Sequence, residues 1–210
     1  MFDFDGTLVD TMGGFADIAA DVLEKNYNIP RAEGRRQYLQ TSGIPFFQQL
    51  EIIRPGGAKN RDCAEEFESR KLQGFFDSAP PPTTVSGLEM LHDSGIGLVV
   101  SSNNFQYNVD DYLEKYTLPL DLALGFDQNG MEKGRPHFLK TQEHFGIGPG
   151  EMLFCGDSLK DGERAISCGV EFVGKTGTFT RDQFLERFNK IDTVGDILEL
   201  AERLLGRSSG

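Results

Sequence analysis

The chain has no apolar run near the roughly 20 residues that cross a bilayer, and no signal peptide precedes its first motif. These two absences lead us to expect a cytoplasmic protein that makes no use of a membrane. Cysteine is scarce: Cys63, Cys155 and Cys168 are an odd number, at spacings that match no zinc pattern. They read as reduced core or surface thiols. Histidine is as rare, and His92, His137 and His144 are scattered, each expected on a helix surface rather than as a base. Basic side chains are outnumbered, 21 Lys and Arg against 33 Asp and Glu, for a net charge of −12. Such a surface repels nucleic acid and anionic membrane, and we expect neither as a partner. Anionic small molecules stay compatible where a metal or local cations line the site. Internal repeats and low-complexity tracts are missing too. The 210 residues suffice for one domain, or one domain with a modest insertion.

What is present begins at the first residue. In Met1-Phe2-Asp3-Phe4-Asp5-Gly6-Thr7-Leu8-Val9-Asp10, two Phe alternate with two Asp. Extended backbone sends successive side chains to opposite faces. The Phe pair would enter a core while both carboxylates project together, and Gly6 would supply the turn that ends the strand. Like charges held that close need a cation or a shared proton. A hard divalent ion with oxygen ligands, Mg²⁺ above all, is the usual relief; an acidic Asp-Gly turn is the plainer alternative.

From residue 12 the apolar spacing is helical. Phe15, Ile18, Ala19, Val22 and Leu23 share one face of a helix over 12–26 that Asp10 or Thr11 can cap. Further helices are predicted near 35–39, 46–53 and 60–76, and nothing in 12–78 resembles a strand. Ala79-Pro80-Pro81-Pro82-Thr83 is a stiff linker. Beyond it, short apolar runs at 97–100, 120–124, 151–155 and 170–173 alternate with helical patterns at 85–92, 105–116, 136–145 and 159–168. Helices near 181–188 and 194–204 and a frayed tail at 207–210 complete the chain. Strand–helix alternation implies a parallel sheet with right-handed crossovers. The expected fold is therefore α/β: a Rossmann-like parallel-sheet core domain, residues 1–11 and 79–210, with an inserted all-helical domain, 12–78.

Four polar clusters follow predicted strands or their adjacent loops: Asp3/Asp5, Ser101/Ser102, Lys133/Arg135 and Asp157/Asp161. The C-terminal ends of parallel strands meet at one edge, so these clusters should converge. Ser101 and Ser102 also suit a helix N-cap, with Asn103 or Asn104 as further capping candidates. Asp161 suits the acidic first turn of a helix.

The Asp3-to-Asp10 stretch, a serine after an apolar strand, a basic residue beside Gly134-Arg135-Pro136, and Gly156-Asp157-Ser158 followed by Asp161 resemble the haloacid dehalogenase (HAD) superfamily. They fall in its order and span nearly the whole chain. The resemblance implies a Mg²⁺-dependent phosphatase that hydrolyses a small phosphate monoester through an aspartyl-phosphate. Asp3 would be the nucleophile and Asp5 the general acid, then base. The side chains of Asp3 and Asp157 and the backbone carbonyl of Asp5 would hold Mg²⁺, with Asp161 orienting that shell or joining it. Ser101, the Ser102 backbone N–H and Asn103 would bind the phosphate. Either Lys133 or Arg135 would be the catalytic cation, and the other a solvated loop charge. Only Met1 and Phe2 precede the first Asp, where the family has several more apolar residues. Either the numbering begins inside the natural protein or the central strand is unusually short.

The helical segment matches the family's small cap, which implies a small phosphorylated metabolite as substrate and a monomer or homodimer as the working form. Arg35, Arg36, Gln40, Thr41, Phe46, Phe47 and Gln48 are cap positions that could read it. A sugar phosphomutase, a phosphonate-cleaving relative with a cap lysine (Lys25, Lys59 or Lys71), and a non-catalytic binding protein are the alternatives. A dehalogenase proper is disfavoured, because its chemistry has no use for Asp5.

Overall fold

The computed structural model describes residues 1–206; the tail expected at 207–210 lies outside them. Two compact units result, Met1–Val9 with Pro80–Gly210, and Asp10–Ala79. The second is helical throughout: α1 (Met12–Tyr27), α2 (Arg31–Gln40), α3 (Phe46–Ile53) and α4 (Asn60–Asp77). Its core forms where the apolar faces of all four meet. Phe46 and Phe67 meet at a tilt with centroids 4.2 Å apart, and Tyr38 and Phe15 pack on Phe67 at 5.5 Å and 6.3 Å. Thr11 is the N-cap of α1, but it makes no side-chain capping bond.

The first unit is an α/β fold. Among the described residues, six strands form one sheet in the order β3-β2-β1-β4-β5-β6, every pairing parallel. The strands are β1 (Phe2–Asp3), β2 (Val99–Phe105), β3 (Leu122–Phe126), β4 (Leu153–Gly156), β5 (Glu171–Lys175) and β6 (Asp192–Val194). The helices between them are α5 (Pro82–Asp93), α6 (Gln106–Lys115), α7 (Arg135–Phe145), α8 (Leu159–Ser167) and α9 (Arg181–Phe188), and α10 (Ile197–Leu204) follows β6. Sheet strands covered by helices on both faces must be apolar on both, and Val99, Val100, Leu124, Phe154, Phe172 and Val173 are all buried.

The sequence expectation of a strand running through Asp5 fails after two residues. Phe2 and Phe4 are both core, but the chain turns at Phe4, whose carbonyl accepts from the amides of Thr7, Leu8 and Val9 at 3.3, 3.0 and 3.1 Å. Gly6, at φ +80°, makes that turn. The short β1 is held on both sides, by register with Val100 and with Cys155. A second correction concerns 194–204. Asp196 accepts a bond from the Glu199 amide and so starts α10 at Ile197, while Val194 pairs with Lys175 as the end of a sixth strand. A third concerns Asn103 and Asn104: α6 starts after Phe105 with no side-chain cap.

A largely apolar cavity of about 470 Å³ opens among Met1, Phe2, Leu98, Val99, Met152 and Leu153. These residues lie where the strands begin. The polar clusters lie where they end, at the other edge of the sheet.

Candidate active site

In this strand order the connections diverge between β1 and β4, one leading across to β2 and the other out to β5. A crevice opens at such a switch point, beyond the strands' C-terminal ends. Asp3 ends β1, and Asp157 follows Gly156, the last residue of β4. Asp161 comes one helical turn later, in the first turn of α8. All three are buried, and each offers a carboxylate oxygen within 4.8 Å of the others'.

Lys133 enters this cluster from the loop before α7. Its Nζ lies 2.6 Å from Asp3 Oδ1 and 2.6 Å from Asp161 Oδ1, with the lysine side chain 2 % exposed. Arg135, two residues on, is exposed as the first residue of α7. Between them Gly134 adopts φ +118°, a conformation costly for any residue with a Cβ. Of the two candidate cations, Lys133 is the one in the cluster.

Asp161 divides its oxygens. Oδ1 faces Lys133, while Oδ2 accepts the Ser158 hydroxyl at 2.7 Å; the Ser158 oxygen in turn accepts the Asp161 amide at 3.1 Å. This capping box fixes the first turn of α8. One oxygen of Asp161 thus serves the first turn of the helix while the other lies in the charged cluster. Gly156 is there because of it: a Cβ at 156 would lie 2.8 Å from both Cβ and Oδ2 of Asp161.

The electrostatics are one-sided. Burial, which Lys133 only partly offsets, pushes the Asp3 carboxyl well above its usual range, and the charges of Asp161 and Asp157 add to the shift. Asp157 is pushed up to about 6, first by burial and then by Asp161. Burial works against the Lys133 ammonium, yet Asp161 and Asp3 outweigh it and hold its pKa above the ordinary value. Three buried carboxylates face one buried ammonium, with the Arg164 guanidinium 3.8 Å from Asp161 Oδ1 at the margin, so acidic groups still outnumber cations in the cluster. Its donors are all oxygen, as a hard divalent cation requires.

The carboxylate of Asp5 stands outside this group; its Oδ2 accepts the side-chain amide of Asn104 at 2.7 Å. That bond is where Asn104's side chain goes instead of capping α6. Asn103 is exposed. Ser102 is buried, its hydroxyl oxygen accepting the Asn104 amide at 3.0 Å. Ser101 is fully buried and its Oγ lies 2.7 Å from Nδ1 of His137.

His137 corrects an expectation, since it is wholly buried in the first turn of α7 rather than on a helix surface. His92 and His144 are exposed on their helices, as expected. The spacing put His137 just after the Lys133/Arg135 cluster, and that proximity was the available signal. Thr178, in the loop after β5, was also missed; it donates to Asp157 Oδ2. The rule that polar residues after strand ends converge applies to it as well. The three cysteines are free thiols, Cys63 and Cys155 buried and Cys168 partly so. No helix among the described residues is long and apolar enough to cross a membrane.

A doubly wound parallel sheet with a buried lysine–carboxylate cluster at its switch point defines an α/β protein with a candidate catalytic centre. The family follows from comparison. Residues 1–175 match the model of the haloacid dehalogenase-like hydrolases, and the chain belongs to that family. It is 28 % identical to "Probable phosphatase IndB" of Dickeya dadantii, over 100 % of this chain and 95 % of that protein. A phosphoglycolate phosphatase of Mesorhizobium japonicum is 26 % identical, over 100 % and 97 %. A haloacid dehalogenase-like family hydrolase from Streptococcus pneumoniae superposes with a TM-score of 0.79, covering 97 % of this chain and 96 % of that one. At 17 % identity that likeness speaks for the fold alone.

Proposed function

We propose that the protein is a Mg²⁺-dependent phosphoric monoester hydrolase acting on a small phosphorylated metabolite, of the phosphoglycolate-phosphatase-like kind. The observation that carries the reading is the buried group of Asp3, Asp157 and Asp161 against the single ammonium of Lys133. Family membership and the phosphatase names of its relatives support it.

Asp3, Asp157 and the backbone carbonyl of Asp5 would hold Mg²⁺, with Asp161 beside them. When bound, the ion supplies the positive charge the carboxylates lack and neutralises a substrate phosphate. Asp3 attacks phosphorus through a carboxylate oxygen; the P–O bond to the alcohol breaks and an aspartyl-phosphate forms. Asp5 gives its proton to the leaving alkoxide, then takes one from the water that attacks the same phosphorus and returns Asp3. Asn104, bonded to Asp5, keeps that carboxyl in one orientation between the two half-reactions. Lys133 holds Asp3 and balances charge on the transferring group. Ser101, Ser102 and Asn103 are assigned to the phosphate side of the site.

The helical segment, 12–78, is assigned the role of a cap that limits the substrate to a small molecule and excludes water during transfer. Within it, Phe46 is core, Arg36 is engaged by Glu33 at 2.5 Å, and Phe47 is exposed. Phe47 is therefore the better candidate of the two aromatics for reading a substrate.

The test is phosphate release from a panel of small phosphate monoesters, with and without Mg²⁺, for wild type and Asp3→Asn. Release that requires Mg²⁺ and vanishes in the variant is expected. Equal background rates for two folded proteins would overturn the hydrolase reading.

A further inference from the structure

His137 is buried, sits four residues beyond Lys133, and has no part in the chemistry above. Its ring spans two strand ends. Nδ1 lies 2.7 Å from the Ser101 hydroxyl at the end of the regular part of β2, and Nε2 lies 3.1 Å from the Gly125 carbonyl on β3. A backbone carbonyl only accepts, so Nε2 carries the hydrogen. Burial pushes the imidazole pKa down to about 4, so the ring is neutral and has no second hydrogen to give. Nδ1 is left as a lone pair, and Ser101 must donate to it. The tautomer is fixed by what lies at the far end of the ring.

The carbonyl is itself anchored. The Gly125 amide donates to the Gln106 side chain at 2.6 Å, and a Cβ at 125 would lie 2.6 Å from the Gln106 Cα. On the other side, the first turn of α7 is tied to the Lys133 loop, where the Gly134 carbonyl accepts the Phe138 amide at 2.9 Å. The series Gln106, Gly125, His137, Ser101 thus joins the ends of β2 and β3 to the helix start that carries Lys133.

We propose that His137 is a positioning residue for the phosphate-transfer site: it orients the Ser101 hydroxyl and anchors the α7 start so that Lys133 meets Asp3. The only hydrogen on Ser101 Oγ is committed to the ring, so Ser101 stands on the phosphate side without giving a hydrogen to a phosphate oxygen. Hydrogen bonds to a phosphate oxygen at this strand end then fall to the Ser102 hydroxyl, whose oxygen accepts the Asn104 amide, to Asn103, to Lys133 and to backbone N–H groups. This proposal rests on the phosphatase reading for its kinetic consequence, but its tautomer is testable without any substrate.

Two measurements decide it. In ¹⁵N-labelled wild-type protein at pH 7, His137 should show a neutral ring protonated at Nε2; an Nδ1–H tautomer or an imidazolium overturns the proposal. In kinetics, His137→Phe keeps the ring volume and loses both bonds, whereas His137→Asn keeps an acceptor near the Nδ1 position. Misplacement of catalytic groups by about 1 Å costs about 100-fold, so the Phe variant should lose kcat on that order, with Asn restoring a large part of it. A folded Phe variant with wild-type kcat, or an Asn variant no better than Phe, overturns the assignment. A Phe variant that does not fold leaves the decision to the ¹⁵N spectrum. Wild-type protein that releases no phosphate from any substrate would instead count against the phosphatase reading, with the spectrum still deciding the tautomer.

Discussion

Lys133→Met removes the one ammonium from a buried group of three carboxylates while keeping most of the side-chain volume. Two ion-pair contacts are lost, each 2.6 Å, to Asp3 and Asp161, with the three side chains between 0 and 7 % exposed, and only the more distant Arg164, at 3.8 Å from Asp161, remains. Replacing both partners of a buried ion pair by apolar groups is often neutral; removing one partner leaves a buried charge uncompensated and costs on the order of 3–5 kcal/mol. A domain's whole stability is about 5–15 kcal/mol, so the loss should be plain in urea unfolding at pH 8 with the metal chelated. The sign of its pH dependence follows from the carboxylates. Asp3 and Asp157 already have raised folded-state pKa values, Asp157 at about 6, and losing the lysine raises them further. A carboxyl with a raised pKa is least costly below its unfolded value near 4 and becomes a growing liability as pH climbs through the folded one. The deficit should therefore shrink at pH 5, where a proton takes the place of the lysine, and grow by pH 8. Saturating Mg²⁺ should recover part of it through binding to the folded state alone. A deficit under about 1 kcal/mol at pH 8, or one larger at pH 5 than at pH 8, would refute the charge bookkeeping.

Two further outcomes are expected. Gly156→Ala places a Cβ 2.8 Å from the Asp161 side chain; overpacking of this kind costs about 1–3 kcal/mol. Lower thermal stability together with weaker phosphate release is expected, and a wild-type melting curve would contradict the close approach. Replacing His137 by Phe should also change how stability depends on pH. The buried imidazole has its pKa lowered from 6.5 to about 4, so its contribution is complete above 6.5 and is lost as pH falls toward 4. Wild type should lose up to about 3 kcal/mol more than the Phe variant between pH 7 and 4; parallel pH curves by chemical unfolding would show that His137 is not held neutral.

Much of this arrangement is visible in the residues before any coordinates. The alternation of short apolar runs with amphipathic stretches after residue 85 specifies parallel strands and crossovers, and parallel strands bring their ends to one edge whatever the details. Asp3 and Asp157, 154 positions apart by number, become neighbours for that reason alone. Local pattern does not carry which atoms meet once the ends have converged. Lys133 and Arg135 are alike in charge and two positions apart; a glycine at φ +118° between them leaves one in the cluster and the other in water. Asn104 holding Asp5, Thr178 holding Asp157 and His137 holding Ser101 join elements distant in the chain, so spacing places His137 and Thr178 near the site without naming their partners. Asp161 shows why weighing one role against another misleads at such a site. A carboxylate has two oxygens, and the fold uses both, one in the helix cap and one in the charged cluster. The oxygen spent on Ser158 fixes the helix, and a fixed helix holds the other oxygen 2.6 Å from Lys133. The capping role is thus what keeps the charged role in place, and a variant that broke the cap would disturb both.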